Sequence, residues 1–187
     1  MKTMKILCML LIAGTLSVSA QKSEINTNKS VVTWTGNKIG GSHTGGIKIK
    51  SGYLEFKKGD ITGGEVVMDM NSITNTDLKD EGYNQKLVGH LKSEDFFGVD
   101  KYPTSTFKVT KASKFKDGKA TLTGVLTIKG KSENVSVDVT KKGNTYVSQL
   151  KVDRSKFDVR YGSKSFFDNL GDKVIDDIFI LDIQLVF

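Results

Sequence analysis

The chain has 187 residues, and its 28 Lys and Arg outnumber 21 Asp and Glu for a formal charge of +7. One cysteine and two histidines exclude a disulfide framework and leave a zinc or copper site short of soft ligands. The lysines are dispersed along the chain rather than gathered on one element, which argues for solvated outer faces and against a nucleic-acid surface.

The first twenty residues read as a secretory leader. Lys2 and Lys5 precede the apolar run from Ile6 to Ile12, and the small-residue site Val18-Ser19-Ala20 follows. The apolar run is too short for a membrane span, which takes about 20 residues. Cleavage after Ala20 is expected, so that 1–20 form the signal peptide, 21–187 form one domain, and the protein is exported to a periplasm or the exterior. The single cysteine, Cys8, would leave with the leader, and the mature domain must then hold together through its core.

From there period-two alternation dominates. Val32, Trp34 and Gly36 form one row, and His43, Gly45, Ile47 and Ile49 form the next. Tyr53–Lys57 ends at a probable turn, Lys58-Gly59-Asp60, before Val66, Met68 and Met70. After a helical interlude come Phe107 and Val109. Asp117-Gly118 then turns the chain into Ala120, Leu122, Gly124, Leu126 and Ile128. Lys129-Gly130 is a weaker turn signal before Val135, Val137 and Val139, and Gly143-Asn144 leads into Tyr146, Ser148, Leu150 and Val152. The last strand is the strongest, with Phe179, Leu181, Ile183, Leu185 and Phe187 on one face.

Strands apolar on one side and rich in Lys, Thr and Asp on the other belong to an antiparallel sheet. Short Gly turns make it a meander, and closing it would remove its edges. The expected fold is therefore all-β, a closed antiparallel barrel of about eight strands. Helix is confined to Asn75–Phe97, where Leu87, Val88 and Leu91 have helical spacing and Asn75 or Asp77 could cap the start, with Ser93 capping a short second turn. A smaller helical turn is expected at Ser163–Leu170, stopped by Gly171.

Catalytic constellations are missing. There is no Asp-x-Asp-x-Asn-Gly calcium loop, and Gly40-Gly41-Ser42-His43 lacks the lysine and helix of a phosphate loop. His43 heads the apolar row of its strand, where a wall histidine is the plain reading. Arg154, one of two arginines in the mature chain, offers a planar fork for a headgroup or for a structural ion pair at the barrel end. The inward row is the main site candidate: Trp34, Met68, Met70, Phe107, Leu122, Leu126, Leu150, Phe157, Phe179, Ile183 and Phe187. In a small barrel such residues either pack solid or enclose one apolar ligand, and the pattern leaves that choice open.

His90-Leu-Lys-Ser-Glu-Asp-Phe-Phe97 followed by Lys101-Tyr-Pro-Thr-Ser-Thr-Phe107 closely resembles the hallmark of YceI-like proteins. Further matches are Trp34-Thr-Gly-Asn-Lys38, Gly41-Ser-His-Thr-Gly45, Gly64-Glu-Val-Val-Met-Asp69, Gly124-Val-Leu-Thr-Ile-Lys-Gly130 and Asp153-Arg-Ser-Lys-Phe-Asp-Val159. The resemblance implies an extended lipocalin-like barrel with a short helical lid and an interior tunnel holding a polyisoprenoid, an isoprenoid quinone or another long-chain amphiphile. Export and a carrier role go with it. The expected protein is a non-enzymatic carrier with no cofactor, a monomer or homodimer, for which transient membrane contact is possible. Two other classes compete with it: a small outer-membrane β-barrel, and a lipid-modifying enzyme using His43.

Overall fold

A computed structural model describes residues 19–187, so the leader expectation for 1–20, Cys8 included, falls almost wholly outside the described residues. Ten strands form one antiparallel sheet: β1 Gln21–Glu24, β2 Val31–Lys38, β3 Gly41–Gly46, β4 Lys48–Lys57, β5 Asp60–Asp69, β6 Thr104–Ala112, β7 Lys119–Ile128, β8 Lys131–Lys142, β9 Thr145–Asp153 and β10 Ile175–Val186. Their order is β1-β4-β5-β6-β7-β8-β9-β10-β2-β3, a meander from β4 to β10 with the β2–β3 hairpin added beside β10. Bulges in the β4–β5, β6–β7 and β2–β10 ladders let the sheet curl.

Two expectations change. The strands number ten rather than about eight, and the ladder does not close among the described residues: β1 and β3 end it without pairing. The reason is local. Only Ile47 separates β3 from β4, so the chain runs on in one direction and cannot fold back on itself as a hairpin. Single bonds tie the neighbouring segments instead: Asn26 N–H, just after β1, donates to Val186 O of β10 at 2.8 Å, and Ile47 N–H, between β3 and β4, donates to Val32 O of β2 at 3.1 Å.

The free edge of β3 is covered by residues 74–77. Thr74 N–H donates to Gly46 O and Thr76 N–H to Thr44 O, both at 3.0 Å, while Thr44 N–H donates to Asp77 Oδ1 at 2.8 Å. Gly45 permits this crossing, because a Cβ there would lie 1.8 Å from Thr74 O and 2.8 Å from Trp34 Cζ2. The Trp34 indole spans the same junction and donates to Thr74 O at 3.0 Å.

The curled sheet has two unlike ends. At one, the β4–β5, β6–β7 and β8–β9 turns meet the end of β10. At the other, the long β5–β6 and β9–β10 connections cross over, and the first carries the one α-helix among the described residues, α1 Glu81–Lys92. This helix begins later than the sequence suggests. Asp80 caps it by accepting from Tyr83 N–H, since Asn75 and Asp77 are spent on the edge of β3. Ser93 is its C-cap, and the short turn expected after it does form, Ser93 O accepting from Phe96 N–H, although the Ser93 hydroxyl donates back to His90 O instead of capping that turn. The smaller helical turn expected at Ser163–Leu170 is confined to its start, where Ser163 O accepts from the N–H groups of Phe166 and Phe167, and Gly171 opens a 3-10 turn, Gly171–Lys173, rather than stopping one. Pro103 stands where the lid connection gives way to β6, and its carbonyl accepts from Met70 N–H at 3.0 Å.

Candidate functional site

The inward row encloses a cavity. Cross-strand pairs carry it round the sheet: Trp34 faces Leu181, which faces Leu150, and Val66 faces Phe107, which faces Leu126. Trp34, Met68, Met70, Phe107, Leu122, Leu126, Leu150, Phe179 and Ile183 all line the cavity, as does Arg154. The sequence-derived row is thus brought together almost whole, and the cavity measures about 180 Å³. That slightly exceeds the ~150 Å³ apolar cavity known to stay dry and take up benzene, yet falls below the ~300–1,000 Å³ usual for small-molecule sites.

Two members of the row, Phe157 and Phe187, lie elsewhere, and so does the wall histidine His43. His43 keeps the inward register, opposite Gly36, but its ring turns to Asp77, with Nδ1 2.8 Å from Oδ2, and it does not line the cavity. Phe157 is 1% exposed in the 3-10 turn Arg154–Phe157, where alternation has already stopped; Asp153 caps the turn and Asp158 leaves it at φ 60°. Phe187 packs at the far end against Phe56 and Tyr146, ring centroids 6.0 and 5.3 Å away.

Other lining residues escaped the sequence reading. Tyr146, Leu181 and Leu185 stand on alternating rows the sequence showed and were left out only of the site candidates, whereas Leu54, in the short Tyr53–Lys57 segment given no inward face, was missed. Leu91, Phe96 and Phe97 come from α1 and the turn after it, and only the tertiary fold places them over the cavity.

The two ends of the cavity differ in chemistry. At the turn end Tyr146 lies 5.9 Å from Phe56, 6.1 Å from Phe115 and 5.3 Å from Phe187, with Lys141 Nζ over the rings of Phe115 and Tyr146. At the lid end Arg154 is 2% exposed and 5.5 Å from the Phe96 ring centroid. Its fork is spent on main chain: Nε donates to Asp176 O, Nη1 to Val159 O and Nη2 to Ile175 O, at 3.0, 2.8 and 3.0 Å. Asp177 lies 3.5 Å from Nη2. Burial pulls the arginine's pKa down, and Asp177, Asp153 and Asp176 oppose that pull. Arg154 thereby fastens the β9–β10 connection to the start of β10, the structural alternative in its sequence reading.

Asp77 is a fastener too. Burial works against its charge, but the Thr44 N–H, the His43 ring and the Asn75 amide together outweigh it and hold the carboxyl at about 2. Among the described residues the His43 ring is held by Asp77, Nδ1 against Oδ2. The outward faces weigh against a lipid-facing barrel wall, for β8 presents Ser132, Asn134, Ser136 and Asp138 to solvent. A transmembrane barrel needs an apolar band there.

With this geometry in view, comparison with known proteins decides the family. The profile of the YceI-like domain matches residues 24–187. The chain belongs to the YceI-like family. Its YceI-like fold is similar to the crystal structure of BcnA from Burkholderia cenocepacia, at 26% identity, covering 87% of this chain and 99% of that one with a TM-score of 0.69. It also resembles a polyisoprenoid binding domain from Saccharophagus degradans implicated in plant cell wall breakdown. That likeness, at 13% identity, covers 89% of this chain and 97% of the other with a TM-score of 0.59, and speaks for the fold alone. No curated protein sequence matches the chain.

Proposed function

We propose that this YceI-like protein is a non-enzymatic, exported carrier that sequesters one long-chain amphiphile in its interior: a polyisoprenoid, an isoprenoid quinone or a fatty-acid-like chain. The observation that carries this reading is the cavity wall, in which aliphatic and aromatic side chains from nearly every strand converge and the one charged fork, that of Arg154, is already committed to backbone carbonyls. Such a wall rewards chain length, at about 0.8 kcal/mol per buried CH₂, and offers little to a polar cargo. A cavity of about 180 Å³ takes a narrow chain only if lining side chains swing aside. Met68 and Met70 sit on the wall, and their flexible thioether chains suit that adjustment. The polyisoprenoid-binding description of the Saccharophagus degradans domain lends the isoprenoid class its preference, and the leader read in residues 1–20 supports export.

The test is mass spectrometry of an organic extract of natively purified protein. A long-chain lipid in near-stoichiometric amount is expected, and Leu126→Trp, which fills the cavity, should remove it. Extracts free of lipid from native expression, or equal lipid in wild type and Leu126→Trp, would count against the carrier.

A further inference from the structure

Seven large apolar side chains stay exposed among the described residues: Val31, Ile39, Tyr83, Tyr161, Phe166, Phe167 and Ile178. Only Val31 belongs to the turn end. Ile39 tips the β2–β3 hairpin and is tied to the β9–β10 connection, its N–H donating to Val174 O at 3.2 Å. Tyr161, Phe166 and Phe167 stand on that connection, 47%, 38% and 48% exposed, and Phe166 lies under the Arg160 guanidinium, 5.0 Å from ring centroid to Cζ. Scattered single exposures need no explanation, but a cluster confined to one end does.

Tyr161 and Phe167 of this cluster line a second hollow at the lid end. This hollow, a groove of about 490 Å³, runs past Asp95, Lys129, Tyr161, Phe167 and Leu170. Asp95 lines this groove while its neighbour Phe96 lines the cavity, so the Phe96 ring and the Arg154 fork beside it form the partition. Tyr161 in turn packs edge-on against His90 of α1, centroids 4.3 Å apart. The turn end, by contrast, is filled with rings.

We propose that the lid end is a bilayer-docking face: Ile39, Tyr161, Phe166 and Phe167 insert into the interfacial zone of a lipid membrane, and the groove beneath Phe167 is the path by which a bound chain passes between bilayer and cavity. Aromatic rings with one wet edge are suited to the headgroup boundary. The surrounding charge selects the mode of docking. Along the same connection the four exposed cations Lys156, Arg160, Lys164 and Lys173 face the three carboxylates Asp158, Asp168 and Asp172, nearly a balance, so attachment rests on apolar insertion and needs no anionic lipid. The passage of a chain rests on the carrier reading above; docking itself does not.

Flotation of the purified chain with phosphatidylcholine vesicles tests docking, and transfer of a pyrene-labelled long-chain fatty acid between protein and vesicles tests passage. Wild type should float, at low and high salt alike. Phe166→Ser combined with Phe167→Ser should weaken association about tenfold, as should Ile39→Ser on a separate element, while Val31→Ser at the turn end changes nothing. Circular dichroism melting shows which variants remain folded, and Ile39→Ser decides the matter if the double variant does not. Wild type that stays with the soluble fraction, variants that float equally well, association abolished by salt, or lid-end variants that instead dissolve a homodimer would each overturn docking. If the protein floats but never takes up the labelled chain, docking stands and the carrier reading falls.

Discussion

The two ends of the curled sheet close the same cavity by opposite means. The turn end is sealed by ring against ring, Tyr146 touching Phe56, Phe115 and Phe187, with the closure built from strand ends and short turns. The lid end is fastened by polar bonds to main chain, through Arg154 on the β9–β10 connection and Asp77 on the segment ahead of α1. Apolar packing has no alternative partner in water and stays shut. A hydrogen-bonded latch exchanges one set of partners for another at a modest net difference, about 0.5–1.5 kcal/mol per bond. On the carrier reading, the end expected to open is the one where polar bonds supplement the packing of Phe96 and Phe97.

The sharpest way to break this comparison is to empty the plug. Tyr146→Ala should lose about 3–5 kcal/mol of stability in urea unfolding, because the ring is 5% exposed and its three aromatic neighbours cannot collapse into the space. A loss under about 1 kcal/mol would show that the rings are not the seal.

Next comes the latch. Arg154→Met leaves the carbonyls of Val159, Ile175 and Asp176 without their donor and should cost about 2–3 kcal/mol. Arg154→Lys should not restore it, since a single ammonium cannot reach three carbonyls spread around a planar fork. Amide exchange should rise in residues 159–174 and stay unchanged in β7 and β8. A uniform rise across the sheet would mean that Arg154 supports the whole core and not one end.

The smallest effect is set by pH. Asp77 is held at about 2 in the folded chain against an ordinary 3.8, a depressed carboxyl whose stabilisation is full above about 4 and is lost as pH falls toward 2. Its side chain is 30% exposed, so screening trims the contribution to about 1–2 kcal/mol. Asp77→Asn should flatten that part of the acid unfolding curve. A variant whose stability falls with the wild-type slope between pH 4 and 2 would remove Asp77 from the latch.

Much of this architecture was legible along the chain. The hairpins follow from Lys58-Gly59, Asp117-Gly118 and Lys129-Gly130, each a pair of positive-φ residues. Such pairs match the twist of the flanking strands. Alternation gave nine of the cavity-lining residues named from the inward row, because a pleated strand sends every second side chain to one face. The same rule misplaced Phe157, which follows the point where β9 winds into a 3-10 turn, and it could not see that His43 turns away to a carboxylate 34 residues on.

Local sequence, then, determined most of the strands, their turns, the apolar row and the family, since each is a pattern of neighbouring residues repeated down the chain, but not the short β1 or the break at Ile47 between β3 and β4. The tertiary structure alone decided that ten strands leave a seam between β1 and β3, that residues 74–77 cover it, and that Phe96, Phe97 and Arg154 close one end while Tyr146 and its neighbours plug the other. Those features rest on contacts between segments tens of residues apart. No local period encodes such contacts, and they form only once the sheet has curled and brought its ends together.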